Sequence, residues 1–181
     1  MMEDLSLHIL DIAENALAAG ATRIQVTLDE DEKRNLLILR VSDNGPGMSP
    51  ATLGRALDPF YSTKGKRTGL GLPLLAQTAE HCGGGLSLAS APRRGTTVTA
   101  RFRLRHIDRP PLTKMAATLM ALVLGHPGVD FRYCHRRKGR VFRFASRTQV
   151  PGSAAVSGLD PELIAAVQKK LQAGLKKIGR T

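Results

Sequence analysis

At 181 residues, 42% of them apolar, the chain can bury one good core and still carry an appendage. Aromatic residues make up 4% and Trp is absent, so that core is mainly aliphatic, while a net charge of +12 invites an acidic partner. Cys82 and Cys134 are too isolated for a disulfide framework or a zinc site, and the longest apolar run, 115–124, is about half a membrane span. The acidic N-terminus carries no secretory signal, so a cytoplasmic protein without a membrane span is expected.

Residues 5–19 read as a helix, with Leu5, Ile9, Ile12, Ala13 and Ala16 in one apolar stripe and Gly20 placed to end it. Asp11 and Asn15 fall one turn apart on one face with Glu14 beside them, either as a solvated polar face or as a site. Residues 23–28 and 36–41 read as strands joined by a charged turn. Asp43 follows at once, opening the Gly-rich bend Asn44-Gly45-Pro46-Gly47-Met48, where glycines allow main chain to approach a flat ligand. Ser49 and Pro50 then suit the N-cap and first position of a short helix.

Residues 58–68 form a candidate lid holding Thr63, Lys64, Lys66 and Arg67, a solvated basic loop or a phosphate contact. The turn Gly69-Leu70-Gly71 runs into Leu72 and Pro73 as a helix start, and free N–H groups there suit phosphate. That helix ends at Gly83-Gly84-Gly85, and strands at 86–91 and 98–105 flank a turn that leads through Gly95, Thr96 and Thr97. In the second of these strands Val98, Ala100, Phe102 and Leu104 point inward by alternation, and Thr99, Arg101, Arg103 and Arg105 outward. The order of strands and helices predicts an α+β two-layer sandwich, helices covering one face of a mixed sheet.

Either Gly-rich turn alone is an ordinary loop, but the ordered set is specific. A helix with Asp11, Glu14 and Asn15, then DNGPGM, PFYSTK, TGLGL and Gly95-Thr96-Thr97, resembles the sequence boxes of the GHKL superfamily across residues 5–105. That superfamily holds histidine kinases, gyrase-type topoisomerases, MutL-type repair ATPases and heat-shock chaperones. PFYSTK and TGLGLPLL look closest to sensor histidine kinases, and the segment at 14–24 looks equally like the MutL type. The resemblance implies a Bergerat-type ATP-binding fold with ATP and Mg²⁺ as cofactors. It implies Asn15 as the Mg²⁺ ligand, Asp43 as acceptor for the adenine amine, and Thr96 as a water-mediated adenine contact. Nucleotide contacts are likewise implied for Gly45, Gly47, Met48, Lys64, Thr68, Gly69, Leu70, Gly71 and Leu72. Asp11 stands where ATP-hydrolysing relatives carry a catalytic Glu, so it is the candidate general base, one methylene shorter.

Residues 1–106 carry 13 Lys/Arg against 11 Asp/Glu, and residues 107–181 carry 14 against 4, so the net charge is +2 in the first part and +10 in the second. The expected organisation is an ATP-binding domain over 1–106, a basic helix and hairpin over 107–150, and a linker with an amphipathic helix over 151–181. Residues 112–124 read as a helix, and 129–137 with 140–145 as a hairpin around Lys138-Gly139. Val129, Phe131, Tyr133 and His135 share one face of it, Arg132, Cys134 and Arg136 the other. Such interleaving suits nucleic acid or, more simply, an aromatic core face backed by a solvated basic one. Asp160-Pro161-Glu162 opens the last helix, with Leu163, Val167, Leu171, Leu175 and Ile178 down one side, to dock on its own domain or a partner.

Only four residues precede the first helix, which leaves no room for a sensing input or a phosphoacceptor hairpin. The expected function is therefore a stand-alone kinase that phosphorylates a partner in trans, with an acidic protein docking on the basic C-terminal part. A slow ATPase switch and a non-catalytic ATP sensor are the alternatives, and a nucleic-acid-binding module ranks below them.

Overall fold

The computed structural model describes residues 4–58, 71–148 and 161–179. Alternating apolar residues in extended stretches build its six strands. These are β1 (Arg23–Asp31), β2 (Leu36–Asp43), β3 (Gly85–Ser90), β4 (Thr96–Arg103), β5 (Asp130–Arg137) and β6 (Arg140–Ala145). They form one sheet in the order β3-β4-β2-β1-β5-β6. Every neighbouring pair is antiparallel except β1 with β5, which runs parallel and makes the sheet mixed. The Lys138-Gly139 turn joins β5 to β6 with φ of 49° and 72°, the two positive values a two-residue type I′ hairpin needs.

The helices are α1 (Leu5–Ala18), α2 (Pro50–Arg55), α3 (Gly71–His81), α4 (Met115–Gly125) and α5 (Pro161–Lys177). Leu5, Ile9, Ile12 and Ala13 of α1 are buried against Ile24, Val26 and Leu28 of β1, Leu37, Leu39 and Val41 of β2, and Val98, Ala100 and Phe102 of β4. The same core takes in Leu119, Leu122 and Val123 of α4, Phe131 and Tyr133 of β5, and Val167, Leu171 and Leu175 of α5. Residues on both sides of position 106 thus share one sheet and one core, and the last helix docks on its own chain. Thr99, placed by alternation on the outer face, is still only 7% exposed because neighbouring strands flank it on both sides.

Helix ends are fixed by side chains. Asp4 caps α1 through the Ser6 N–H at 2.8 Å, and its other oxygen accepts from the Thr113 and Lys114 N–H groups at 2.8 and 3.2 Å. Ser49 caps α2 by accepting from the Thr52 N–H at 3.2 Å, as its position before Pro50 predicts. Arg140 and Arg137 hold the C-terminal end of α5 by donating to the Lys177 carbonyl at 2.9 Å and the Ile178 carbonyl at 3.1 Å. Arg137 also pairs with the buried Glu30 at 3.1 Å, and Glu30 accepts a 2.7 Å bond from His135, a buried ring that also bonds the Tyr133 hydroxyl. The hairpin and α5 are thereby tied to the far end of β1.

Candidate functional site

The predicted site residues fall into two clusters, one at the C-terminal end of β2 and one where α1 meets α3. In the first, Asp43 ends β2 and its Oδ1 accepts from the Gly45 N–H at 2.8 Å and the Thr96 N–H at 3.3 Å. Two main-chain donors on one oxygen fix the carboxylate plane and leave Oδ2 as an acceptor without a partner among the described residues.

Thr96 is oriented by a residue the sequence reading did not single out. Ser90 Oγ donates to the Gly95 carbonyl at 2.9 Å, accepts from the Met48 N–H at 2.9 Å, and lies 2.9 Å from Thr96 Oγ1. A hydroxyl has one proton, so with Ser90's spent on Gly95 the Thr96 hydroxyl donates to Ser90 and keeps its lone pairs for the site. Asn44 is the second such residue. Its Oδ1 accepts from the Thr22 and Arg23 N–H groups at 3.0 and 2.7 Å and its amide donates to Thr22 Oγ1, stapling the bend to the start of β1. Neither role has a signal in the sequence beyond the habit of Asn and Ser to bond nearby main chain.

Two glycines, Gly47 of the bend and Gly95 of the facing turn, also let the loops of the site meet. Gly47 has φ +69°, and a Cβ there would sit 1.9 Å from the Ala91 carbonyl oxygen. Gly95 has φ +74°, and its Cβ would meet the Asp43 carbonyl at 2.0 Å. The missing side chains let the two loops interlock, with the Arg93 N–H bonded to the Pro46 carbonyl at 2.6 Å. This close approach of loop on loop holds Asp43 and Thr96 side by side.

In the second cluster, Gly71 begins α3, where a Cβ would lie 3.3 Å from the Asp11 Cβ and 3.4 Å from its Oδ2. Asp11 is half-buried, and burial first, then the charge of Glu14, raises its carboxyl above the usual range. Asn15 is exposed one turn further along α1, and Glu14 lies 3.6 Å from the His126 ring. Leu72 packs at the margin of the core. The exposed Asn15 side chain offers a carbonyl oxygen, a donor suited to Mg²⁺, which keeps several waters and needs few protein ligands. Lys64, Thr68, Gly69 and Leu70, with the rest of the candidate lid, lie outside the described residues, as do the linker at 151–158 and Asp160.

No group of three or more His, Cys, Asp or Glu among the described residues is placed to hold a metal, and none of their helices is long and apolar enough to cross a membrane.

Comparison with known proteins bears on the same residues. The Pseudomonas aeruginosa sensor protein kinase FleS is 43% identical over 91 residues, 50% of this chain and 23% of that protein. Two Bacillus subtilis proteins are also similar. Sporulation kinase B is 38% identical over 103 residues, covering 54% of this chain and 23% of its own. Sporulation kinase D is 35% identical over 91 residues, covering 50% and 18%. The chain thus spans about a fifth of the length of these relatives. In fold it is similar to the crystal structure of the N-terminal domain of a DNA repair protein, with a TM-score of 0.61 and 16% identity, over 88% of this chain and 60% of that one. At 88% of this chain, that coverage extends past residue 106. Residues 3–106 match the family described as histidine kinase-, DNA gyrase B-, and HSP90-like ATPase. The chain therefore belongs to this family, and its N-terminal part is an ATP-binding domain of the histidine-kinase type.

Proposed function

We propose that the protein binds ATP with Mg²⁺ between the two clusters and transfers the γ-phosphoryl group to a partner protein. The observation that carries the nucleotide half is the Asp43 carboxylate, held through Oδ1 by Gly45 and Thr96 and offering Oδ2 to a donor. An adenine exocyclic amine satisfies that oxygen, whereas guanine presents a carbonyl and leaves it unpaired, which sets the base preference. Thr96, with its lone pairs free, takes a bridging water on the same base. Asn15 holds the metal, which supplies charge neutralisation at the phosphates when bound. Asn15 and the start of α3 then position the phosphates while an acceptor nucleophile attacks the γ-phosphorus, the bond to the β–γ bridging oxygen breaks and ADP leaves.

The similarity to sensor and sporulation kinases supports the kinase reading, with an acidic partner protein supplying the acceptor. A slow ATPase is the second reading, favoured by Asp11. A half-buried carboxylate with a raised proton affinity beside the first turn of α3 is suited to orient or deprotonate water.

Calorimetry of ATP and GTP on the wild type and on Asp43→Asn tests the site. ATP is expected to bind more tightly than GTP, and the variant to lose about 1.5–3 kcal/mol of ATP binding, the scale of a hydrogen bond to a charged group. Equal affinity for the two nucleotides would remove Asp43 from the base site. Transfer of label from ATP to an added partner, against steady release of phosphate, separates the kinase from the ATPase.

A further inference from the structure

All helices except the short α2 contribute to the core on one side of the sheet, and toward β6 the other side is bordered by the short turn at 146–148 and by Lys170 of α5. The strand register places three rows across that open face. The middle row reads Ser87, Thr99, Arg40, Thr27, Cys134 and Arg143 from β3 to β6. One flanking row carries Arg101, Ile38, Asp29 and Arg136, and the other Thr97, Ser42, Gln25 and Arg132. Arg40, Arg101, Arg132, Arg136 and Arg143 are all exposed. Arg136 is engaged by Asp29 at 2.8 Å and Arg132 by Asp130 at 2.9 Å, while Arg40, Arg101 and Arg143 have no ion-pair partner among the described residues. Toward β6 the face deepens into a concavity of about 530 Å³ whose lining includes Thr27, Asp130, Arg132, Arg143, Arg147 and, from α5, Lys170.

We propose that this open sheet face is the docking surface for an acidic protein partner, and that it draws on both halves of the chain rather than on the basic C-terminal part alone. The proposal rests on the partner-directed reading above and adds the surface. Three observations select the occupant. Every aromatic side chain of the strands (Phe102, Phe131, Tyr133, Phe142 and Phe144) is at most 9% exposed, Tyr133 and Phe144 at the edge of the concavity included, so the open face offers no platform on which bases stack. Planar guanidiniums over a floor of hydroxyls and Gln25 match carboxylates, which they bind two bonds at a time. Asp29 and Asp31 sit among the arginines, where they repel a continuous phosphate backbone but can register against a protein surface of mixed sign. A second copy of a chain with net charge +12 is repelled by the same face.

The test compares two double charge reversals of equal net charge on the full chain. Arg101→Glu with Arg143→Glu alters the open face, and Lys176→Glu with Lys177→Glu alters exposed positions in the last turn of α5, beyond the Lys170 that borders the concavity. Binding of fluorescent poly-L-glutamate and of duplex DNA is read by anisotropy at near-physiological salt, with the urea midpoint and ATP affinity of each variant measured alongside. The wild type is expected to bind poly-L-glutamate, the face variant to bind at least about ten-fold more weakly, and the α5 variant to bind nearly as the wild type. Equal losses in both variants would reduce the effect to net charge and overturn the proposal, as would no binding by the wild type. Tighter, face-dependent binding of duplex DNA would make the face a nucleic-acid interface instead. Wild type that binds poly-L-glutamate through the face but not ATP would refute the nucleotide reading and leave the surface standing.

Discussion

Gly47 lies ahead of the short helix α2 and Gly54 within it, and the two should respond to the same substitution in opposite directions. At Gly47 a Cβ meets the Ala91 carbonyl at 1.9 Å in a backbone with positive φ, so Gly47→Ala should destabilise by about 2 kcal/mol or more and disturb Asp43 with it. At Gly54 nothing lies within 4 Å of the added Cβ and the backbone is helical, so Gly54→Ala should stabilise by about 0.5–1 kcal/mol. Urea midpoints at constant slope check both, and a neutral Gly47→Ala would mean the two loops do not interlock as described. Asp11 and Asn15 divide chemistry from binding in the same way. Asn15→Ala should abolish the Mg²⁺-dependent part of ATP affinity, whereas Asp11→Asn should leave affinity nearly intact and lower any phosphate release by about 10²-fold, the scale of a lost general base. Calorimetry and phosphate release, each with and without Mg²⁺, read the two roles. Unchanged turnover in Asp11→Asn would set the ATPase reading aside.

Among the elements, α1 depends on one buried carboxylate that serves two helices. Asp4 is 1% exposed, and although burial alone would raise its pKa, the hydrogen bonds from Ser6 and Thr113 outweigh it and hold the carboxyl below its ordinary value. Asp4→Ala therefore orphans donors at the start of α1 and ahead of α4 together, and should cost about 2 kcal/mol or more. Thermal unfolding checks it, and Asp4→Asn, which keeps an acceptor, should lie between. Nothing in the sequence marked Thr113 as its partner, because the pairing is non-local. The same distinction decides how much of the fold was legible. Period-3.6 and period-2 patterns located α1, α3, β2 and β4 to within a few residues, and DNGPGM and Gly95-Thr96 placed Asp43 beside Thr96 through the resemblance they carry. The parallel docking of β5 on β1 was not legible, since alternation says which face is buried but not which strand is the neighbour. The Ser90 relay was hidden for a similar reason, as its partners Met48 and Thr96 come from two different loops.

Across the whole molecule, the sheet makes the basic C-terminal part continuous with the nucleotide site. Strand β1 lies between β2, which ends in Asp43, and β5, which begins the basic hairpin, so cutting the chain after 106 would strip β1 of a neighbour and uncover the core beneath α4 and α5. Stability is therefore a property of one cooperative unit, and a single buried group can set its response to acid. His8 on α1 is 1% exposed, and neither ring nitrogen has a hydrogen-bond partner among the described residues. Burial pushes its pKa down to about 4 from the usual 6.5. Above pH 6.5 the ring is neutral in both states and its contribution is constant. Between 6.5 and about 4 the unfolded chain takes up a proton that the folded chain refuses, so stability is lost as pH falls, on the order of 3 kcal/mol over the full window. Asp4 and Asp130, whose values are lowered, add their losses only below the ordinary carboxylate pKa of 3.8, while Asp11, whose value is raised, acts with the opposite sign just above it. The difference between wild type and His8→Leu isolates the imidazole from these carboxylates. Urea midpoints measured from pH 7.5 to 4.5 should fall steeply for the wild type and much less for His8→Leu, with the two curves converging toward high pH apart from a constant offset for packing. Parallel curves across that range would mean that His8 accepts its proton in the folded state as readily as in the unfolded one, and that acid acts elsewhere on the fold.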